Sequence, residues 1–308
     1  MISRRNIRVK VMQTLYTVNT TDLEWKPEAL LKILHQHLYQ SRSLFIYLLY
    51  FLTELSRYAE TDAHQKASKH LPTAEDLHVN IKIAGNKLLL KILEDPALIE
   101  QFAREKPALI IDREVLRKIY LKLVDTPEYK TYSQQTERDK AQEKKILEYI
   151  FNDMMLANEY FISHVEELFT NWDDDGEMIV MLLTGYLQKP GSYHFNNWLS
   201  EEKKQFAEKL LLTVQEKSDH LQSLIIPKLK NWDFERIAFL DLILMKMGVA
   251  EFLYFETIPP KVTINEYIDL AKDYSTSQSG QFVNGILDNI HKELVQDGKM
   301  NKVEYKKA

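Results

Sequence analysis

Only eight glycines and nine prolines interrupt this chain of 308 residues, and nearly every segment between them repeats its apolar side chains with a period close to 3.6. Leu, Lys, Glu and Ile are the commonest residues, a largely helix-forming composition. No convincing run alternates with the period of two that a half-buried strand requires. The expected fold class is therefore all-α. With 45% hydrophobic and 28% charged residues disorder is not the default, and the length allows one large core or two modest ones.

The periodicity predicts helices over 3–18, 28–39 and 41–60, with Pro27 at an N-terminal helix position and Pro72 closing the region. Further helices are expected at about 75–94, 97–104 and 112–124, punctuated by Asp95-Pro96 and Lys106-Pro107. The stretch 126–145 is polar all round and reads as a linker, a solvated helix being the alternative. Helices over 141–171, 176–187, 200–230, 234–254, 262–274 and 279–296 follow. The apolar run Leu44–Leu52 is about half the length that spans a bilayer, so it reads as a buried helix. Asn171-Trp172-Asp173 recurs as Asn231-Trp232-Asp233 sixty residues later, with Asp as the expected N-cap. A duplicated helical hairpin and chance both account for it.

Catalytic and metal chemistry find little support. The chain has no Cys, which excludes disulfides, thiolate zinc sites and a Cys nucleophile and suits a reducing cytosol. Asn171-x-Asp173-x-Asp175-Gly176 opens like a calcium loop, but Leu182 stands where the bidentate Glu belongs, and an acidic helix start explains the same residues. His35 and His37 diverge on a helix instead of sharing a face. No phosphate-cradling Gly loop, nucleophile elbow or His-Glu-x-x-His motif occurs. The expectation is a protein without catalysis, cofactor or metal.

Charge is unevenly placed. The net charge is −5, yet residues 1–21 hold Arg4, Arg5, Arg8 and Lys10 and no acid, which leaves −9 (−5 minus 4) on the rest. A basic arm on an acidic body suits one defined polyanion contact better than general coating of nucleic acid. On a helical wheel Ile7, Val11, Thr14, Leu15 and Val18 form one stripe, while Arg5, Arg8 and Tyr16 fall within roughly 80° of one another on another side. Guanidinium groups pair phosphate oxygens, and an aromatic ring offers a stacking surface to an unpaired base. A solvated basic face accounts for this pattern as well, and so does an Arg-rich transit peptide.

Two stretches then carry a family resemblance. One is Ser3-Arg4-Arg5-Asn6-Ile7-Arg8-Val9-Lys10-Val11-Met12-Gln13-Thr14-Leu15-Tyr16. The other runs through Arg236-x4-Asp241, Lys246-Met247-Gly248-Val249-Ala250-Glu251-Phe252-Leu253 and Ile258-Pro259-Pro260-Lys261-Val262-x-Ile264-Asn265-Glu266. It continues through Ile268-x-Leu270-Ala271-Lys272-x-Tyr274 to Gly280-x-Phe282-Val283-Asn284-Gly285-Ile286-Leu287. In order and spacing these resemble the NusB family of transcription antitermination factors, over about 3–18 and 203–294.

The resemblance implies NusB-like helical bundles with an additional helical insertion. The expected organisation is an arginine-rich first helix over 1–20, an inserted helical region over 21–200, a C-terminal bundle over 201–297 and a flexible tail over 298–308. It also implies a cytoplasmic, non-enzymatic factor with no membrane association. Such a factor binds single-stranded ribosomal-operon leader RNA together with NusE, a small-subunit ribosomal protein, within an RNA polymerase antitermination complex. Arg4, Arg5, Arg8 and Lys10 would contact phosphate, and Gln13 and Tyr16 bases. Gln281 and Phe282 would lie near the RNA or partner surface, and Asp241, Lys246 and Gln278 on the partner side. Thr263-x-x-Glu266 is expected to form a capping box, Gly285 to admit a neighbouring backbone, and Glu251 to be structural. Ser277 and Gln278 are neutral where many family members carry acids. An RNA cytosine methyltransferase with a NusB-like domain would need a Cys nucleophile and a Rossmann-like domain that this chain lacks. A helical scaffold that kept the fold and lost RNA binding is the remaining alternative.

Overall fold

The computed structural model describes residues 2–21, 25–191, 195, 198–229 and 237–303, and every regular element among them is helical. The chain forms two compact units, a central one over 39–198 and a terminal one that combines 2–38 with 199 onward.

In the terminal unit, α1 (Arg4–Asn19) starts where the Ser3 hydroxyl accepts the Asn6 N–H at 3.1 Å, satisfying one of the otherwise unpaired first-turn donors. Its apolar stripe of Ile7, Val11, Leu15 and Val18 is buried, together with Thr14. The opening turns of α2 (Pro27–Ala67) bury Leu30, Leu34 and Leu38 at four-residue spacing. Beyond the central unit come α11 (Glu201–Glu216), α12 (Ser218–Ile225), α13 (Phe239–Tyr254), α14 (Pro260–Tyr274) and α15 (Ser279–Gln296). The single helix expected over 200–230 is thus broken at Lys217, which takes a non-helical conformation.

Helix α13 is the core of this unit and packs on α1, α11, α12, α14 and α15. It can do so because it is apolar on almost every side, from Ile243 to Phe252. Gly248 matters at this point. A Cβ there would lie 2.9–3.0 Å from both Leu287 methyls, so the glycine lets α15 approach closely. Gly285 does not have that role, since nothing lies within 4 Å of a Cβ at its position. The expected capping box is absent as well. Helix α14 begins at Pro260, so Thr263 sits inside its first turns and its hydroxyl donates to Glu251 at 2.9 Å. After α15, Lys302 donates to the carbonyls of Glu251 and Phe255, both at 2.7 Å, and the Val303 N–H donates to Glu256 O. Residues 299–303 are therefore tied to the end of α13, where cations favour the unpaired carbonyls.

The central unit holds the rest of α2 with α3 (Ala74–Leu77), α4 (Lys87–Leu93), α5 (Pro96–Glu105), α6 (Arg113–Asp125), α7 (Pro127–Gln134), α8 (Lys140–Tyr149), α9 (Glu159–Leu168) and α10 (Trp172–Gln188). The two helices expected over 28–60 are one helix of 41 residues. Leu44–Leu49, Phe51 and Leu52 are buried. Conversely, 75–94 is not continuous. A loop separates α3 from α4, and the buried Asn86 caps α4 by accepting the Leu88 and Leu89 N–H groups.

The expected linker over 126–145 is mostly helical. Thr126 caps α7 with Pro127 in its first turn, Asp139 caps α8, and Tyr129, Tyr132 and Glu143 turn inward. Lys82 closes the loop on the end of α7 by donating to Tyr132 O and Gln135 O at 2.8 and 2.6 Å. The long helix expected over 141–171 widens into a π-type turn at Ile150–Met155 and restarts at α9, capped by Asn158. Helix α10 starts earlier than expected, with Asn171 in the cap position and Asp173, Asp174 and Asp175 in the first turn. The recurring Asn231-Trp232-Asp233 and Arg236 lie outside the described residues.

Candidate nucleic-acid interface

Helix α1 divides its cations between the interior and the surface. Arg8 points inward and is 2% exposed. Its Nε and Nη2 donate to the two Glu251 oxygens at 2.7 and 3.0 Å, and its Nη1 donates to Glu266 at 3.3 Å. Glu251 is itself fully buried and also accepts from Tyr267 OH at 2.8 Å and from Thr263 Oγ1. Burial opposes the charge on Arg8, but the hydrogen bonds and attraction of Glu251 outweigh it and raise the guanidinium pKa. The Tyr267 hydroxyl is held well above its ordinary value, by burial first and by Glu251 next. The Phe206 and Tyr267 rings lie 5.5 and 5.8 Å from the guanidinium carbon.

This geometry corrects the assignment of Arg8 to phosphate, because its fork is already bound bidentately by a carboxylate away from solvent. The assignment of Lys10 to phosphate is corrected on its burial. Lys10 is 1% exposed, and its ammonium lies 3.3 Å from Gln13 Oε1. Glu251 is structural, as expected.

Arg4 and Arg5 are different. Their side chains are 41% and 37% exposed and are paired with surface acids, Arg4 with Glu202 and Arg5 with Asp273 at 2.7 Å and Asp269 at 3.9 Å, while the Arg4 guanidinium also lies 5.6 Å from the Phe206 ring. Three helical turns on, nearly above Arg5 on the wheel, Tyr16 is 46% exposed and meets Phe239, itself 40% exposed. Their centroids are 5.6 Å apart with the planes at 56°. The two rings border a groove of about 490 Å³ that Met12, Gln13, Thr17, Leu240, Tyr274 and Ser275 complete. Apolar rings beside amide and hydroxyl groups make a surface on which a base can stack while its edge is hydrogen-bonded. Sequence reading missed Phe239. It opens a helix apolar on nearly all sides, so no periodic cue separates this exposed aromatic from its buried neighbours.

Of the remaining candidates, Gln278 and Gln281 are exposed and Phe282 is half-buried. Lys246 is half-buried and donates to Ser218 Oγ at 2.8 Å; burial lowers its pKa, and Asp219 partly opposes the shift. Asp241 is corrected as a partner-facing residue. It is 5% exposed in the first turn of α13, and its Oδ2 accepts from Ser279 Oγ at 2.7 Å at the start of α15. Asp175 of the calcium-like stretch is buried and accepts from Ser41 and Asn171. Among the described residues no group of three His, Asp or Glu side chains could hold a metal ion, and no helix is long and apolar enough to cross a membrane.

Fold and surface together define an all-helical protein whose terminal unit presents a small basic and aromatic face on its first helix. Residues 168–292 match the NusB family, and through this region the chain is a NusB family member. The matched span begins at the end of α9 and takes in α10, well before the 203 at which the resemblance begins. The transcription antitermination protein NusB of Chloroherpeton thalassium is 40% identical over 99 residues, which are 32% of this chain and 47% of that protein. The Salinibacter ruber protein of the same name is 41% identical over 97 residues, 32% of this chain and 61% of its own length. The chain thus spans about half to three-fifths of these relatives. A solved structure of T. maritima NusB is 31% identical over 42% of this chain and 81% of its own, with a TM-score of 0.30.

Proposed function

We propose that this protein is a cytoplasmic, non-enzymatic RNA-binding antitermination factor. It engages single-stranded leader RNA of ribosomal operons together with the NusE ribosomal protein, in the RNA polymerase antitermination complex. The observation that carries this reading is the exposed Tyr16–Phe239 pair, whose Tyr16 lies on the same helix as the accessible Arg4 and Arg5 while Phe239 opens α13. Arg4 and Arg5 contact phosphate. Tyr16 and Phe239 stack on bases, Gln13 reads a base edge, and Gln281 and Phe282 extend the RNA surface. Lys246 and Gln278 belong to the NusE side. The part of the central unit that precedes residue 168 is an insertion that the antitermination reading does not require.

The test is RNA titration of the wild type and of an Arg4→Glu/Arg5→Glu variant, with and without NusE. The variant is expected to keep its helicity and lose affinity. The slope of log affinity against log salt should flatten by about 1.4, the amount for two lost phosphate contacts on a single strand. NusE should tighten binding by the wild type, because two weak surfaces then act on one ligand. Unchanged RNA affinity in the variant contradicts the reading. RNA binding that is absent throughout, with NusE binding retained, would favour a scaffold that has lost RNA.

A further inference from the structure

The two accessible arginines of α1 are not bare. Glu202 holds Arg4, while Asp273 and Asp269 hold Arg5, and Asp269 also lies 3.5 Å from Lys272. These acids are themselves 52–75% exposed. An exposed ion pair of this kind is weak and exchanges readily, so the acids are too weak to be needed for holding the helices together. They do confront any incoming phosphate with like charge at the spot where it must bind. At the groove by Tyr16 and Phe239, three turns away, the described lining residues include no acid.

We infer that Glu202, Asp269 and Asp273 are specificity determinants of the RNA face, an inference that rests on the RNA reading above. They compete with phosphate for Arg4 and Arg5, so a polyanion that offers charge alone is held poorly. A single strand that also places a base on the aromatic groove gains contacts the acids do not oppose, and it displaces them. The acids thereby turn a general basic patch into one that discriminates in favour of unpaired nucleic acid, which is selection by an added repulsive element.

The experiment compares the full-length wild type with Glu202→Gln/Asp269→Asn/Asp273→Asn, using a short single-stranded leader RNA and heparin, a polyanion without bases. Both proteins should melt alike. Heparin affinity should rise by roughly tenfold at low salt and RNA affinity by only about threefold, with both gains fading as salt screens the charges. Adding Arg4→Gln/Arg5→Gln to the triple variant should abolish the heparin gain. If that gain persists, the acids act through overall charge and the inference is overturned. RNA binding with equal gains on both ligands, or with no gain, overturns the inference and leaves the RNA reading standing. If neither protein binds RNA, the RNA reading fails and this inference fails with it.

Discussion

Each unit is organised around a buried carboxylate, but the two are built differently. Glu251 in the terminal unit is satisfied entirely by buried or nearly buried side chains, Arg8, Thr263 and Tyr267, drawn from α1 and α14. Glu143 in the central unit is 1% exposed. It accepts from Tyr132 OH and from Arg138 Nη1, both at 3.0 Å, and from the Lys87 N–H. Its arginine, however, is 30% exposed. Glu251 thus joins helices more than two hundred residues apart through a sealed ion pair. Glu143 locks a mostly local arrangement, the α4 cap against the α7–α8 turn, through an arginine that water can reach. A buried acid therefore marks a junction in both units, while the exposure of its cation sets what loss of the acid costs.

The largest expected effect follows from that difference. Glu251→Ala leaves the buried Arg8 charge with only its 3.3 Å contact to the partly exposed Glu266 among the acids described, which should cost about 3–5 kcal/mol. Glu143→Ala lets Arg138 turn to solvent and should cost less, about 1–3 kcal/mol from the unsatisfied Tyr132 and backbone groups. Denaturant unfolding of both variants measures this directly. Equal losses would break the comparison. Arg8→Lys should itself destabilise the terminal unit, because an ammonium cannot reproduce the bidentate pairing with Glu251.

A pair of glycines sharpens the picture of how α13 and α15 pack. Gly248→Ala drives a methyl into Leu287 and should cost about 1 kcal/mol or more, even after the gain in helix propensity. Gly285→Ala adds a methyl to open space and should stabilise by about 0.5–1 kcal/mol. Thermal melts shifting in opposite directions would bear this out.

The smallest effect concerns Lys302, whose ammonium is pushed down to about 8, by burial first, with Glu251 and Glu256 opposing. Between about pH 8 and the ordinary lysine range, the unfolded chain holds a proton that the folded chain has shed. Stability should therefore rise slightly with pH across that window. Lys302→Met should remove this increment when the two proteins are compared point by point. An identical pH profile for the two would show that residues 299–303 do not bury the amine.

Much of this was legible in the sequence, and the gaps share a physical origin. The 3.6-residue period located α1, α5, α6, α14 and α15 within a residue or two, because one face of each is plainly apolar. Periodicity cannot show a polar residue facing inward. The tyrosines and Glu143 of 126–145 looked like solvated linker, and Arg8 looked like an RNA contact, since burial of a charge depends on a partner far away in sequence. Glu251, 243 positions from Arg8, is that partner. Phe239 failed in the opposite sense, as an exposed aromatic hidden among buried ones.

The central claim is that the functional face of α1 is the exposed one, with its aromatic groove, and that Arg8 serves the fold. Titration of single-stranded leader RNA against Tyr16→Ala/Phe239→Ala tests it most directly. At about 1–3 kcal/mol per stacked base, affinity should fall at least tenfold. The salt slope should stay unchanged because Arg4 and Arg5 remain. Wild-type RNA affinity in this variant, with an unaltered melt, would contradict the claim.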